Sequence, residues 1–351
     1  MKNLFRWITQ HRGWQRMMSL AVLGLAVYLI LPQITALEDS WQVLTSMSLW
    51  AVGLAFVAQI LSYLGSGILL QSILAIAHQK VSLWLSSLIV LGSFSIGMVA
   101  GGTIGTTAAI YRWTSRGKGS MEGATLASIF LPQFNTVMLV LVSVFGLVPL
   151  ILTHSLTPSQ MIGFGATLLI LALITGGVAL ALRFRSQSVK PVLWISSRVA
   201  RLRRKPFEPE AIQKGVENLF DAWDALWHGA WHRPAEGAFL NMAFDVLTLY
   251  FLFVAAGNNI NLGVLLAGYG LPLLLGKVAF ILPGGVGVVE SSMAMLYTGL
   301  GIPPATSAVV VLSYRLISFW IPSLAGFPIA AYLQRSRRRF IEKQAIPEAI
   351  K

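Results

Sequence analysis

Four charged residues lie within long apolar stretches of this sequence and could bind an ionic ligand inside a membrane: Asp245, Lys277, Glu290 and Arg315. A charge surrounded by hydrocarbon is costly, so each of them is a candidate functional residue. The Arg315 guanidinium could hold a phosphate group with two N–H donors, and Lys277 could add a point charge. The four formal charges sum to zero, so the alternative interpretation is two buried ion pairs that only fix helix packing.

Two glycine clusters lie in apolar regions and could offer backbone N–H groups to an anion. The first contains Gly101, Gly102 and Gly105, and the second, after a proline, contains Gly284, Gly285 and Gly287. A helix that begins just after Gly287 would direct its unpaired N–H groups and the positive end of its dipole toward a phosphate. Glu290 would then cap this helix, orient Arg315 or bind a cationic headgroup.

Arg112 follows the first glycine cluster and several threonine hydroxyls, which together form a weaker candidate for a headgroup site. An arginine that ends an apolar stretch also anchors a span at the cytoplasmic surface. For Arg112 the anchor is the favoured interpretation. The second cluster is therefore the main candidate for phosphate binding.

The sequence lacks the motifs of the common catalytic and cofactor-binding classes. It has no cysteine, and none of its five histidines belongs to an HExxH or HxxEH group, so a metal site is not expected. It contains no Gly-x-Ser-x-Gly elbow, Walker loop or dinucleotide fingerprint. We therefore expect a protein that needs no cofactor and is not an enzyme.

The composition indicates an integral membrane protein. Of 351 residues, 56% are hydrophobic and 11% are charged, against about 25% charged residues in an ordinary soluble domain. The net charge of +13 lies in clusters that flank apolar stretches. That pattern is typical of the cytoplasmic ends of spans and not of nucleic-acid binding, and it also attracts anionic lipid headgroups.

Apolar stretches long enough to cross about 30 Å of hydrocarbon predict six full spans in an all-α integral membrane protein. They cover residues 17–37, 48–77, 121–152, 159–182, 236–257 and 305–333. Basic connections alternate with connections that carry no Lys or Arg, so the positive-inside rule puts both termini in the cytoplasm. We expect the chain in the plasma (inner) membrane.

Two further apolar regions, 81–111 and 262–300, each carry a glycine cluster near the middle. The alternation of basic and non-basic connections requires each region to begin and end on one side of the membrane, as a re-entrant hairpin or a pair of short spans does. The glycines favour two re-entrant hairpins that are broken at these positions. Small-residue helix packing is the alternative explanation of the glycines. Each hairpin lies between two spans, so the chain is predicted to contain two units related by inversion across the membrane plane, a transporter architecture.

These elements divide the chain into five parts. They are a basic cytoplasmic N-terminus (1–16), a first membrane half (17–182), a cytoplasmic basic and amphipathic segment (183–235), a second membrane half (236–334) and a basic cytoplasmic tail (335–351). The first apolar stretch is expected to stay as a span, because no small-residue cleavage site follows it. The tryptophan-bearing helical face within 183–235 fits either the bilayer interface or the ends of the bundle.

The stretch from Leu282 to Glu290 reads Leu-Pro-Gly-Gly-Val-Gly-Val-Val-Glu, and Gly301-Ile302-Pro303 and Tyr314-Arg315 follow it. These residues resemble the membrane region of lysylphosphatidylglycerol synthases, a family whose members are often called flippase-like domains. The resemblance covers nearly the whole chain. The first glycine cluster matches the family less closely, because it lacks the proline.

The resemblance implies a protein that binds or flips a phosphate-bearing lipid. In the bifunctional synthases this region is thought to move an aminoacylated phosphatidylglycerol to the outer leaflet, and a separate soluble domain makes that lipid. We expect the synthase domain to be lacking here. The expected partners are an anionic phospholipid or an isoprenoid-phosphate lipid, and a lipid-modifying enzyme or glycosyltransferase. The alternative function is a non-transporting accessory or scaffold subunit for such an enzyme.

Overall fold

Within the residues that the structure describes, four helices are long and apolar enough to cross a membrane, and they coincide with four of the predicted spans. The computed structural model describes residues 37–100, 102–115, 121–152, 226–278 and 283–345, with scattered positions between 162 and 224. Within these ranges the regular secondary structure is helical, so the all-α prediction is confirmed. The four long apolar helices are Leu49–Ile76, Gly123–Leu152, His232–Ala255 and Pro304–Arg335.

We number the helices in chain order. They are α1 (Leu37–Ser46), α2 (Leu49–Ile76), α3 (Leu83–Val99), α4 (Thr103–Thr114), α5 (Met121–Leu152), α6 (His232–Ala255), α7 (Leu262–Val278), α8 (Val288–Gly299), α9 (Pro304–Arg315) and α10 (Ile321–Ala345). A π-helical turn precedes α6 at Leu226–Ala230, and another joins α9 to α10 at Leu316–Trp320. The Ser318 carbonyl in the second turn accepts a hydrogen bond from Tyr63 Oη at 3.0 Å, which ties the last span to α2.

Both predicted hairpins are broken at their glycine clusters. Each consists of a 17-residue helix followed by a 12-residue helix: α3 and α4 in the first, α7 and α8 in the second. These helices rise about 25 Å and 18 Å, which is less than the roughly 30 Å of a hydrocarbon core. Gly102 begins α4 with φ of 63° and Gly287 begins α8 with φ of 86°, backbone conformations that other residues rarely adopt.

Helices α2 and α6 run antiparallel and form the central contact of the bundle. Ser48 N donates to the Ala255 carbonyl at 2.9 Å at one end, and Asn241 Nδ2 donates to the Ser62 carbonyl at 3.0 Å near the middle. Residue numbers rise along one helix as they fall along the other. The first long helices of the two predicted units therefore pack against each other in opposite directions, as inverted repeats require.

Single glycines allow the backbones of α2 and α6 to approach closely. A Cβ atom added at Gly65 would lie 2.4 Å from Asn241 N, and one at Gly237 would lie 2.4 Å from Leu69 N. Each helix thus uses one glycine against the backbone of the other. Lipid provides no hydrophobic driving force between helices, so the van der Waals contacts of this close approach stabilise the helix pair instead.

The hairpins pack reciprocally on the opposite unit. Helix α3 of the first unit lies against α10, and α7 of the second lies against α5. A Cβ atom at Gly326 would lie 2.5 Å from the Leu91 carbonyl oxygen, and one at Gly146 would lie 2.6 Å from the Leu266 carbonyl carbon. Each predicted unit therefore supplies a helix against which the hairpin of the other unit packs, and the relation of the units by inversion stays a prediction.

Several boundaries differ from the sequence expectation. Helix α1 occupies Leu37–Ser46 in a predicted connection, and α10 continues to Ala345 past the predicted start of the tail at 335. Trp223 in the amphipathic segment stacks on Phe130 of α5 with ring centroids 6.3 Å apart, which favours the ends of the bundle over the bilayer interface for that residue. The first span, the basic N-terminus and most of 159–216 lie outside the described residues.

Candidate functional site

A cavity of about 270 Å³ lies where the two hairpin turns meet inside the bundle. Gly102 and Thr103 line it from the first hairpin, and Gly284 and Gly285 line it from the second. Side chains from α3, α5, α6, α7, α8 and α9 and from the π-helical turn after α9 also line it. Broken backbone at membrane depth is tolerated where it lines a cavity or is buried in protein, and both turns satisfy that condition.

Arg315 and Glu290 form a buried ion pair beside this cavity. Arg315 Nε donates to Glu290 Oε1 at 2.6 Å, and the two side chains are 5% and 14% exposed. Arg315 Nη2 donates to the Gly284 carbonyl at 2.9 Å, and its guanidinium lies 4.4 Å from the centre of the Phe319 ring. Two of the five N–H donors of Arg315 therefore bind protein groups, and these contacts join the second hairpin turn to the last span.

Glu290 also caps the helix that follows the turn. The Gly287 N–H donates to Glu290 Oε2 at 2.7 Å, so one carboxylate oxygen serves the helix end and the other serves Arg315. A carboxylate in the first turn is favoured by the helix dipole. Of the three roles considered for Glu290, capping and orienting Arg315 are the ones that these contacts support.

Asp245 lies in the middle of α6 and receives two phenol hydroxyls. Tyr269 Oη donates to Asp245 Oδ2 at 2.7 Å and Tyr314 Oη donates to the same oxygen at 2.9 Å. The other oxygen, Oδ1, is buried and accepts no hydrogen bond. Asp245 lines the cavity, and the Gln59 side chain also interacts with its carboxylate.

Lys277 lies in the last turn of α7 and is an unpaired cation among the residues that the structure describes. It lines the cavity, and it also lines a larger groove that opens between α4 and α5. Within the described residues its ammonium makes neither a hydrogen bond nor an ion pair. An ammonium at this depth is costly without a partner, so the site favours an anion there.

The groove between α4 and α5 has a volume of about 680 Å³ and carries two facing rows of polar residues. On α4 the row is Thr103, Thr107 and Tyr111, spaced four residues apart along one helix face. On α5 it includes Ser128 and Thr136. A polar path therefore runs from the outside of the bundle to Lys277.

The structure brings most of the predicted residues together. Those that line the cavity are Asp245, Lys277, Arg315, Gly102, Gly284 and Gly285, and Glu290 and Gly287 adjoin it through the contacts above. Gly105 instead allows α4 to pack on Ala100 within the first hairpin. Arg112 is exposed in the last turn of α4 and does not line the cavity, and Gly101 lies outside the described residues.

Of the two ion pairs in the alternative interpretation, the structure contains one. Glu290 pairs with Arg315, whereas Asp245 is held by tyrosines and does not pair with Lys277. The sequence interpretation did not include these tyrosines, nor Asn135 and Asn241, which also line the cavity. Asn241 precedes Asp245 by one helical turn within the same apolar span, and that spacing was the available signal.

The fold and the site define a multi-pass membrane protein with a polar cavity between two glycine-broken hairpins. The profile of the lysylphosphatidylglycerol synthase TM region matches residues 17–326. That is most of the chain, and the protein belongs to this family. Membership gives it a phospholipid-related membrane context.

Archaeal relatives match shorter parts of the chain. A UPF0104 membrane protein of Methanothermobacter thermautotrophicus is 34% identical over 99 residues, which are 28% of this chain and 29% of that protein. One from Pyrococcus horikoshii is 32% identical over 89 residues, or 25% and 26% of the two chains. One from Methanocaldococcus jannaschii is 24% identical over 150 residues, or 42% and 44%. The matches thus span less than half the length of these relatives.

Proposed function

We propose that this protein binds a phosphate-bearing lipid in the cavity between its hairpins and moves it across the membrane. The observation that carries the proposal is Lys277, an unpaired cation shared by the buried cavity and the outward groove. A lipid phosphate would supply the missing counter-charge. The family's phospholipid-related context agrees with such a ligand.

The dimensions favour a lipid whose headgroup enters while its chains stay outside. The cavity of about 270 Å³ lies just below the roughly 300–1,000 Å³ of pockets that enclose a drug-sized ligand, which suits a headgroup and not the acyl chains. The groove between α4 and α5 offers hydroxyls to the ester region, and its apolar rim at Ile104 and Pro132 suits the start of the chains. The remaining length of the acyl chains would lie in the surrounding bilayer.

Arg315 takes a positioning role in this proposal beside the direct phosphate contact that its residue type suggested. Two of its five N–H donors are used by Glu290 and by the Gly284 carbonyl, and Arg315 also lines the cavity. Its contribution is to hold the turn that forms one wall of the cavity. No reaction step is assigned to any residue, and we propose a lipid-handling protein of the plasma membrane that is not an enzyme, with both termini in the cytoplasm.

The test replaces Lys277 by methionine, which keeps the length of the side chain and removes its charge. A hydrogen bond to a charged group contributes about 1.5–3 kcal/mol, so we expect Lys277→Met to lower phospholipid retention roughly 10- to 100-fold. Native mass spectrometry of the detergent-purified protein measures the retention. Transfer of a fluorescent phospholipid between leaflets of reconstituted vesicles measures the movement.

Arg112→Met is the matched control, because it removes a cation that is exposed and outside the cavity. We expect that variant to retain lipid and to move it at the wild-type rate. Equal retention in Lys277→Met and Arg112→Met would contradict the proposed site. Lys277-dependent binding without movement between leaflets would favour the accessory or scaffold function instead.

A further inference from the structure

A second void, which we call the turn pocket, lies where α2 ends and α6 begins. Its volume is about 720 Å³, and it is lined by the end of α2, by residues 78–81 of the turn that follows, and by residues 229–230 and 232–234. It shares no described lining residue with the hairpin cavity or with the groove between α4 and α5. At 1.5 Å per residue, Arg233 of this pocket lies about 12 Å along α6 from Asn241 of the hairpin cavity.

Basic side chains surround the turn pocket. His78 and Lys80 line it from the turn, and His232 and Arg233 line it from the first turn of α6. All four residues are exposed, so a ligand in the pocket can reach them. None of the described residues that line the pocket is acidic, and neither Lys80 nor Arg233 forms an ion pair with a described residue. The pocket therefore carries two formal positive charges that no described neighbour compensates.

The position of His232 and Arg233 on α6 is opposite to the one that the helix dipole favours. The start of a helix carries partial positive charge, which stabilises acidic residues there and disfavours basic ones. The first turn of α6 contains no acidic residue, and the side chain of its N-cap residue Trp231 makes no capping hydrogen bond. The helix dipole and the two basic side chains therefore favour an anion at the same place.

The turn after α2 contains a strained histidine. Among the described residues, His78 is the one other than glycine with a positive φ, at 55°. Its N–H donates to the Ala75 carbonyl at 2.9 Å, at a helix end where glycine is the usual residue. A side chain costs conformational free energy in this backbone region. Gln71 Nε2 donates to the Val81 carbonyl at 2.8 Å and holds the turn, so the imidazole stays beside the pocket.

We propose that the turn pocket binds a phosphomonoester or diphosphate group. The positive-inside rule accounts for cations at this end of the bundle. It does not require them to surround a void, to lie at the start of a helix or to include a strained histidine. A phosphomonoester carries a charge of about −1.5 to −2 near neutral pH, which matches Lys80 and Arg233. A phosphodiester carries a single negative charge and would leave one of these cations uncompensated.

Two exposed tryptophans indicate the depth of the turn pocket in the membrane. Trp84 lies in the first turn of α3, directly after the pocket-lining turn, and Trp231 precedes His232; their side chains are 69% and 47% exposed. Tryptophan is enriched at the membrane–water interface, so the pocket lies at the level of lipid headgroups. Its volume falls within the roughly 300–1,000 Å³ of small-ligand pockets. The phosphate can therefore come from a lipid headgroup or from a compound in solution.

The experiment offers this chemistry from both sources to the full-length protein in detergent. Inorganic pyrophosphate is the soluble probe, and isothermal titration calorimetry measures its binding. Phosphatidic acid, a monoester, and phosphatidylglycerol, a diester, are the lipid probes, with identical acyl chains. Native mass spectrometry of equimolar mixtures measures their retention. We expect either binding of pyrophosphate or retention of phosphatidic acid over phosphatidylglycerol by about fivefold, the factor expected for one additional exposed charge pair.

Three variants connect the binding to the pocket. Lys80→Met and Arg233→Met each remove one charge and should weaken binding of the preferred probe about fivefold. Arg112→Met is the matched control, because it removes an exposed cation that does not line the pocket, and it should bind like the wild type. His78→Gly relieves the backbone strain, so it should not lower the stability to unfolding, yet it should weaken binding because the imidazole is lost.

Each outcome supports or overturns the inference. Pyrophosphate binding that falls in Lys80→Met and Arg233→Met identifies a soluble phosphate compound as the ligand. A preference for phosphatidic acid that falls in the same variants identifies a lipid headgroup. The inference is overturned if pyrophosphate does not bind and both lipids are retained equally, or if Arg112→Met weakens binding as much as the pocket variants do.

Lys277→Met separates the turn pocket from the hairpin cavity. We expect this variant to bind pyrophosphate, or to prefer phosphatidic acid, as the wild type does. Binding that is lost in Lys277→Met and kept in Lys80→Met and Arg233→Met would place the phosphate in the hairpin cavity and overturn the inference. Failure of the inference leaves the proposed function intact, because the two sites share no described residue.

Discussion

Removal of the Arg315 guanidinium should lower the free energy of unfolding more than any other single change at the site, because this group holds the second hairpin turn. Arg315→Met keeps the aliphatic stem and leaves the Glu290 carboxylate, which is 14% exposed, without its cation. Breaking a buried pair by removing one partner costs about 3–5 kcal/mol. The lost hydrogen bond to the Gly284 carbonyl and the lost contact with the Phe319 ring act in the same direction.

These contributions overlap, so we expect about 4 kcal/mol, which lies in the range for a broken buried pair. At 1.4 kcal/mol per factor of ten, this is close to a thousandfold change in the unfolding equilibrium. Glu290→Gln should cost less, because glutamine at this position can still accept from the Gly287 N–H. Combined with Arg315→Met, it should cost at least about 2 kcal/mol less than the sum of the two single changes.

Unfolding by sodium dodecyl sulfate in mixed micelles, followed by far-ultraviolet circular dichroism, gives the four free energies of this double-mutant cycle. Arg335→Met serves as the control, because Arg335 is exposed on the same continuous helix and should change stability by less than about 0.5 kcal/mol. If the effects of Arg315→Met and Glu290→Gln add without coupling, the ion pair does not hold the hairpin turn and this reasoning is refuted.

Two further predictions each compare a glycine at a close contact with a control glycine, by the same unfolding measurement. In α2, Gly65→Ala should destabilise the protein by about 1–3 kcal/mol, because its Cβ would lie 2.4 Å from Asn241 N. Gly53→Ala is the control: its Cβ would lie in open space, so the change should stabilise α2 by up to about 1 kcal/mol. Equal effects of the two substitutions would contradict the close crossing of α2 and α6. Gly284→Ala should cost roughly 2 kcal/mol more than Gly301→Ala, since both have positive φ but only the first would push a Cβ against an aromatic ring. An equal cost would mean that backbone strain alone governs both positions.

The sequence predicts the elements well because length and charge are local signals. Long apolar stretches gave the four long helices, and the two glycine clusters coincide with the breaks that Gly102 and Gly287 introduce. The packing of these elements is not local. Lone glycines such as Gly65 and Gly146 contact backbones far along the chain, and nothing in their immediate neighbours indicates which side of the helix they face.

The site shows the same division between what local sequence predicts and what depends on packing between distant helices. Placing a charge in the hydrocarbon core of a membrane costs free energy, so the sequence positions alone identify four candidate residues: Asp245, Lys277, Glu290 and Arg315. Their partners could not be read in that way, because an apolar span does not fix the rotation of one helix relative to another. Two ion pairs and a shared phosphate site were both compatible with the sequence, and within the described residues Glu290 pairs with Arg315 while Lys277 is unpaired. Tyr314 is adjacent to Arg315 in the chain, yet its role became visible only once α6 was seen beside α9.

The reciprocal packing of α3 on α10 has a consequence for biosynthesis. Ser95 in the first hairpin donates to the carbonyl of Ser323, which the ribosome adds 228 residues later. At about 5–20 residues per second, the first hairpin waits roughly 10 to 45 s for this partner. For most of that interval its polar turn has neither the last span nor the second hairpin to cover it. The nascent chain therefore depends on the insertion machinery or on a transient neighbour to shelter α3 and α4, and truncation before α10 should expose them to membrane proteases.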